Sequence, residues 1–486
     1  MGRNDQEHRR AGERKRGGRQ RPQTPPGTPE QDGPGAGPSL HELVESALGA
    51  VLSAPEDRYD LVLDQGASAL SEPAARWPRT GRTVLVVTGA LLARLWRAGW
   101  QPADLARAVR RELTPRHLRL AVDLIAAESR GYAPAALDPR WSGQLRELEA
   151  TAWWGEDDAF LPGVAARERA DRFGVATLLL ELFRLIGRLP PITLLAPPPG
   201  AAGDRSLAGR LPGGGSEPRM LGRIRALLAK AESTDFPEEA EALTAKAQQL
   251  MAQHSIDEAL LAAGSGSRSE PGACRIGIDN PYEAPKAVLL DAVADANRAR
   301  SVWSKDLGFC TVVGFPADLE AVELLYTSLL VQATTAMNSA GARRGGGERE
   351  TGSERVTAGR GPAARGGGPA VDGGARTKSF RQSFLIAYAS RIRERLAEAT
   401  AQATEEALAG ERAAGRGGEP GATGGEPALL PVLAAREAAV QGTTERMFPT
   451  LRAGRAVRAN DYEGWAQGRA AADRARLHGH SEALPH

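Results

Sequence analysis

The stretch SVWSKDLGFCTVVGFPADLEAVELLYTSLLVQATTAM, Ser301–Met337, decides the fold class. Its first half is rich in β-branched and aromatic residues, and Ser301–Trp303 and Phe309–Phe315 read as short strands. Pro316 then opens a long apolar helix, Ala317–Met337, at a position where the missing N–H of proline costs nothing. Upstream, Cys274–Ile278 alternates as another strand. Ala284–Arg300 reads as a helix with Val288, Leu289, Ala292, Val293 and Ala296 on one face. The order β-α-β-β-α predicts helices layered over a mostly antiparallel sheet. Elsewhere the apolar spacing is mostly helical, so the expected fold class is mainly α with a small α+β C-terminal domain.

The sharpest local pattern precedes that layer, at 218–262. Leu221, Ile224, Leu227, Leu228 and Ala231 make one helical stripe, and Ala240, Leu243, Ala247, Leu250 and Met251 make a facing one. Between them Asp235 is placed to cap the second helix, with Glu238 three residues later. Ser255 is placed to cap a short third helix, with Glu258 in the matching position. A helical hairpin of about 40 residues buries too little to stand alone, so it is expected to pack on something.

Residues 40–195 read as an N-terminal helical domain, with Leu40, Val44, Ala47, Leu48 and Val51 at helical spacing. Thr83–Trp96 leaves strand and buried helix both open. Helices at about Ala103–Leu113 and Arg116–Ser129 flank a tight turn and superficially resemble a DNA-reading pair. The second carries Leu118, Leu120, Val122, Leu124 and Ile125, which look like packing residues. A further helix is expected over Arg167–Gly187.

Spacers divide the chain, which is expected to be multidomain with a disordered tail and Gly-rich linkers. Residues 1–39 lack aromatics and hold eight basic and three acidic side chains within 1–21, as a disordered basic tail does. Residues 196–217 read as a linker. The C-terminal domain, 263–486, is interrupted by an insertion at 339–376 and a spacer at 410–427. The insertion has twelve Gly and seven Arg but no Phe or Tyr to stack on bases, so a flexible loop is expected there. Further helices are expected at about Thr377–Ala409, Pro431–Gln441 and Asp461–Leu477.

Bulk composition excludes more than it assigns. The net charge of +2 gives no global pull toward nucleic acid or membrane. Six Lys against 56 Arg is explained first by a GC-rich genome. The two cysteines cannot form a zinc site by themselves and fit a reducing, cytoplasmic location. No uncharged apolar run approaches the roughly 20 residues that span a bilayer, and no secretory signal is expected.

The segment RIRALLAKAESTDFPEEAEALTAKAQQLMAQHSID, Arg223–Asp257, adds a resemblance. A basic helix ending in Leu-Leu-x-Lys-Ala, a Ser/Thr turn, an acidic helix start and Ala-x-x-Leu-Met resemble the domain-of-unknown-function family 2786. That family occurs in actinobacterial and phage proteins. VVGFPADLEAVELLYTSLLVQA and SFRQSFLIAYASRIRERL are similar to the region that usually follows this hairpin, which would place 339–376 inside the companion domain. The 40–195 block also looks like the region that precedes it in longer members. The family has no established activity, so the resemblance implies a boundary and no mechanism.

Few residues carry chemistry. His254, with Asp257 and Glu258 nearby, reads as a general base or metal ligand, or as a histidine favoured by a helix C-terminus. Cys310 lacks an activating neighbour and reads as a small buried residue. His478 and His480 lie on what is expected to be a frayed terminus. No HExxH, Walker A or GxSxG motif occurs.

The richest constellation is the helix 377–400. Phe380, Phe384, Leu385, Tyr388, Ile392 and Leu396 fill one arc, with Arg381, Arg391 and Arg395 within it or at its edge. Arginines there must be paired, snorkel, or meet an anion. Internal partners such as Asp291, Asp295 or Asp318 and an external nucleic-acid phosphate both stay open.

The expected function is a non-enzymatic binding protein associated with nucleic acid, with Arg381, Arg391 and Arg395 as anion contacts. One alternative is a metal-dependent hydrolase using Asp306, Asp318 and Glu320. Another is a scaffold that docks a protein partner through the hairpin, whose five basic and seven acidic residues disfavour a nucleic-acid contact. No cofactor, no metal site and no membrane partner is expected, and whether the chain is an enzyme stays open.

Overall fold

The computed structural model describes residues 39–134, 137–200, 219–233, 237–264, 270–353, 370–413, 429–451 and 458–475. The basic tail through residue 38, the Asp235 cap, the interiors of the three spacers and the pair His478 and His480 lie outside them. The described chain is mainly helical with one small sheet, the expected fold class.

Eight helices form the N-terminal block: α1 (Leu40–Ser53), α2 (Tyr59–Ser71), α3 (Trp77–Arg97), α4 (Pro102–Glu112), α5 (Pro115–Ser129), α6 (Pro139–Glu147), α7 (Phe160–Glu168) and α8 (Arg172–Arg188). They enclose one core, with Trp96, Trp100, Leu120, Phe160 and Phe183 at its centre. The ambiguous run Thr83–Trp96 is helical, within α3. Arg167–Gly187 is not the single helix expected. Arg169 turns left-handed at φ 51°, ending α7, and the Asp171 carboxylate accepts the Gly174 N–H at 2.8 Å to start α8. Helices α4 and α5 form the expected pair across a tight turn. Leu120, Leu124 and Ile125 face the core, and Arg116 and Arg119 both lie against Glu168.

The second core unites α9 (Arg219–Ser233), α10 (Pro237–Gly264), β1 (Gly272–Gly277), α11 (Glu283–Ala296), β2 (Arg300–Ser304), β3 (Phe309–Gly314), α12 (Pro316–Ser353), α13 (Ala370–Ala413) and α15 (Tyr462–Arg474), while α14 (Leu429–Met447) packs outside it. The sheet is antiparallel in the order β1-β3-β2, with Ile276 and Trp303 opposite Cys310. Helix α10 runs without a break, so Ser255 is an interior residue and starts no third helix. The same continuity removes the helix-end reading of His254. Glycine content argues for a loop from Ser339, yet α12 continues to Ser353 and α13 begins at Ala370. A helix nucleated by a packed segment extends cheaply, one hydrogen bond for each residue fixed.

Strand β3 is buried on both faces, and the two faces have different covers. Cys310 and Val312 join α11 and α12 in the second core. On the other face Val313 and Phe315 pack on Val440 of α14. Arg275 of β1, on that same face, reaches the N-terminal block. Its Nη1 donates to Asp104 Oδ2 at 2.6 Å and to the Gly99 carbonyl at 3.0 Å, and its Nη2 to the Thr193 carbonyl. One and two turns along α4, Arg107 pairs with Asp279 at 2.6 Å and Arg111 with Glu283. The stripe Asp104, Arg107 and Arg111 is therefore the seam between the two halves.

Candidate functional site

Helix α13 carries the three arginines that the sequence singles out, and it uses them differently. Arg395 is buried and donates through Nη1 to the carbonyls of Asp473, at 3.0 Å, Ala472 and Ala475. It thereby satisfies orphan carbonyls at the negative end of α15. Arg391 donates from Nε to Asp473 at 2.5 Å and from Nη1 to Glu394 at 2.8 Å. Those hydrogen bonds hold its guanidinium above the usual arginine range. The carboxylates Asp291 and Asp295 are taken by a different residue, Arg393, at 2.6 and 3.4 Å.

Arg381 stands apart. It is half-buried, and its Nε is shielded from solvent and has no acceptor among the described residues. A neighbouring turn of α13 is pressed against α15. A Cβ on Gly464 or Gly468 would collide with the carbonyl oxygens of Phe380 or Phe384, so only glycine permits this approach. Ser383 fixes the entry to α15 by accepting the N–H groups of Asn460 and Asp461, each at 3.0 Å.

A second constellation forms where α10, α12 and α14 meet. Ser255 donates to Asp318 Oδ1 at 2.5 Å, and Arg436 of α14 pairs with Asp318 Oδ2 at 3.3 Å while lying over the Phe315 ring. Arg298 donates to the Ser255 hydroxyl at 3.4 Å from a left-handed backbone, φ 54°, just past α11. Asp318 is almost wholly buried. Burial pushes its carboxyl up, against the pull of Ser255 and both arginines. Burial likewise lowers the Arg298 guanidinium. Glu258 is raised mainly by burial, within the fields of Arg436, Asp318, His254 and Glu320, and its Oε2 has no partner among the described residues. Two separate sequence candidates, His254 with Glu258 and Asp318 with Glu320, thus share one junction.

Asp306 does not join them. It sits in the single turn between β2 and β3, at the end of β3 away from Asp318, about 17 Å of strand distant. Asp318 is spent on a serine and an arginine. Among the described residues no group of three or more His, Cys, Asp or Glu is arranged to hold a metal ion. Cys310 is fully buried and its thiol is pushed up to about 12 by burial, while Cys274 is pushed up to about 11. Neither is poised as a thiolate. The hairpin's stripe, Ile224, Leu228, Ala247, Leu250 and Met251, is covered by the chain's own second core.

Sequence reasoning misses Arg298 and Arg436, because a buried arginine reads like any solvated one. Arg298 does leave a trace. It occupies the position after a helix end where a left-handed backbone favours glycine, so a side chain there is retained at a conformational cost.

Residues 219–258, which span α9 and most of α10, match the sequence family described as Protein of unknown function (DUF2786). No curated protein and no solved structure matches the chain. No described helix is long and apolar enough to cross a membrane.

Proposed function

We propose that the chain is a non-enzymatic binding protein that associates with nucleic acid through arginines the fold leaves without an acceptor, Arg381 foremost. The observation that supports this reading is the shielded, unpartnered Nε of Arg381 on a helix whose Arg391, Arg393 and Arg395 are engaged within the fold. A buried donor without an acceptor costs about 1–3 kcal/mol, and a phosphate oxygen is a geometrically matched acceptor for guanidinium. Lys378, exposed one turn away, adds charge to the same end of α13. The hydrolase alternative is weakened by the internal use of Asp318 and the separation of Asp306. The scaffold alternative is weakened by the covered hairpin stripe. A cytoplasmic location belongs to the same reading and is supported by two free cysteines.

Fluorescence anisotropy against single- and double-stranded oligonucleotides across a salt series tests it, with the full chain beside a variant lacking residues 1–39. Binding that survives the truncation and falls steeply with salt supports phosphate contacts on the folded part. Loss of all binding with the tail, or none near physiological salt, rejects it.

A further inference from the structure

A cavity of about 430 Å³ opens between α12 and α15, with Phe384 of α13 as its floor. Ala336 and Ala340 are successive turns of α12, and Ala470 lies opposite on α15. Three alanines where larger side chains would close the gap leave space within the range of small-molecule sites. The polar groups come from both walls, Ser339 from α12 and Gln467 and Arg474 from α15, and Arg474 is exposed with no partner among the described residues. Gln467, Ala470 and Arg474 lie on one face of α15, spaced at i, i+3 and i+7. Gln467 donates its amide N–H to Glu463 at 3.0 Å, which holds the side chain along the rim.

We propose that this cavity binds a small amphiphile with an anionic head and a short apolar body. The Arg474 guanidinium and the Ser339 hydroxyl donate to the head. The body lies on Phe384 and the alanine walls. A cation is disfavoured by Arg474, and a fully polar anion would leave the apolar floor and walls uncovered. The site is separate from the Arg381 contact, so either proposal can fail alone.

Titration calorimetry of the full chain with octanoate, octyl phosphate, 1-octanol and octyltrimethylammonium tests it. Saturable one-site binding of both anions is expected, at least about tenfold tighter than the neutral alcohol, with no binding of the cation. Arg474→Ala, at an exposed position, is expected to weaken the anions about tenfold and leave the alcohol unchanged. Ala470→Leu, which fills the cavity, is expected to weaken all three. Equal affinity for alcohol and anions, no binding of either anion, or an unchanged Arg474→Ala variant overturns the proposal.

Discussion

Arg395 and Arg381 lie on the same face of α13, 14 residues or about 21 Å apart, and their surroundings are opposite. Arg395 finds three carbonyls at the end of α15, a cluster that exists because Gly464 and Gly468 let that helix settle on α13. Arg381 lies near the other end of the seam, where α15 begins, and its Nε finds no acceptor. The same residue type in the same apolar arc is part of the fold at one end and available to a ligand at the other. Periodicity places both arginines. What decides their role is the neighbouring helix end, which comes from residues far along the chain.

If engaged arginines are structural, removing them should cost stability in proportion to what they leave behind. The largest effect is expected at the seam between the halves. Arg275→Ala strands the buried Asp104 carboxylate and two carbonyls, and a loss of about 3–5 kcal/mol is expected by urea unfolding. Arg395→Ala uncaps α15 and is expected to cost about 1–3 kcal/mol, with faster hydrogen exchange confined to α15. A cost as small as that of a surface residue at either position would break the division drawn here.

Two glutamates extend the contrast to pH. Glu168 is held below its ordinary range, chiefly by Arg119, with Arg167 adding to it. Its contribution to stability is full above the unfolded value, about 4.3, and is lost as pH falls through the folded value. Glu258 is shifted upward, mainly by burial, so its contribution is present below the unfolded value and is lost as pH rises through the folded value. Glu168→Gln should therefore be destabilised at about pH 7 and lose less than the parent on acidification. Glu258→Gln, permanently uncharged, should be more stable than the parent at about pH 7 and equal to it near pH 4. Urea midpoints across that range decide both.

The smallest stability effect is expected at Arg381. Arg381→Ala strands no partner and relieves the unpaired Nε, while the packing of the side-chain stem is lost, so the two offset and the net change should be within about 0.5 kcal/mol. Its effect should fall on binding instead.

The fold class was legible because helix and strand periods are local properties. The strands at Ser301–Trp303 and Phe309–Phe315 and the helices around them could be read from residue type alone. The misreadings arose where distant residues intervene. Ser255 has the spacing of a cap, yet its hydroxyl bonds to Asp318, 63 positions away, and α10 passes straight through it. The break at Arg169 depends on one left-handed residue and the Asp171 cap, which an apolar stripe overlooks. One face of β3 is covered by the neighbouring α11 and α12, whereas the cover over Val313 and Phe315 comes from α14, more than a hundred residues downstream. The candidate site was half visible. His254, Glu258, Asp318 and Glu320 carry their chemistry in their identity, whereas Arg298 and Arg436 acquire theirs from burial.

The most direct test of the central claim is oligonucleotide anisotropy of the parent, Arg381→Ala and Arg395→Ala chains across a salt series. Arg381→Ala is expected to stay folded, bind severalfold more weakly, and show a salt slope shallower by about one unit. Folded Arg395→Ala is expected to keep the parent slope. A parent chain that does not bind near physiological salt, or an Arg381→Ala slope identical to the parent's, would contradict it.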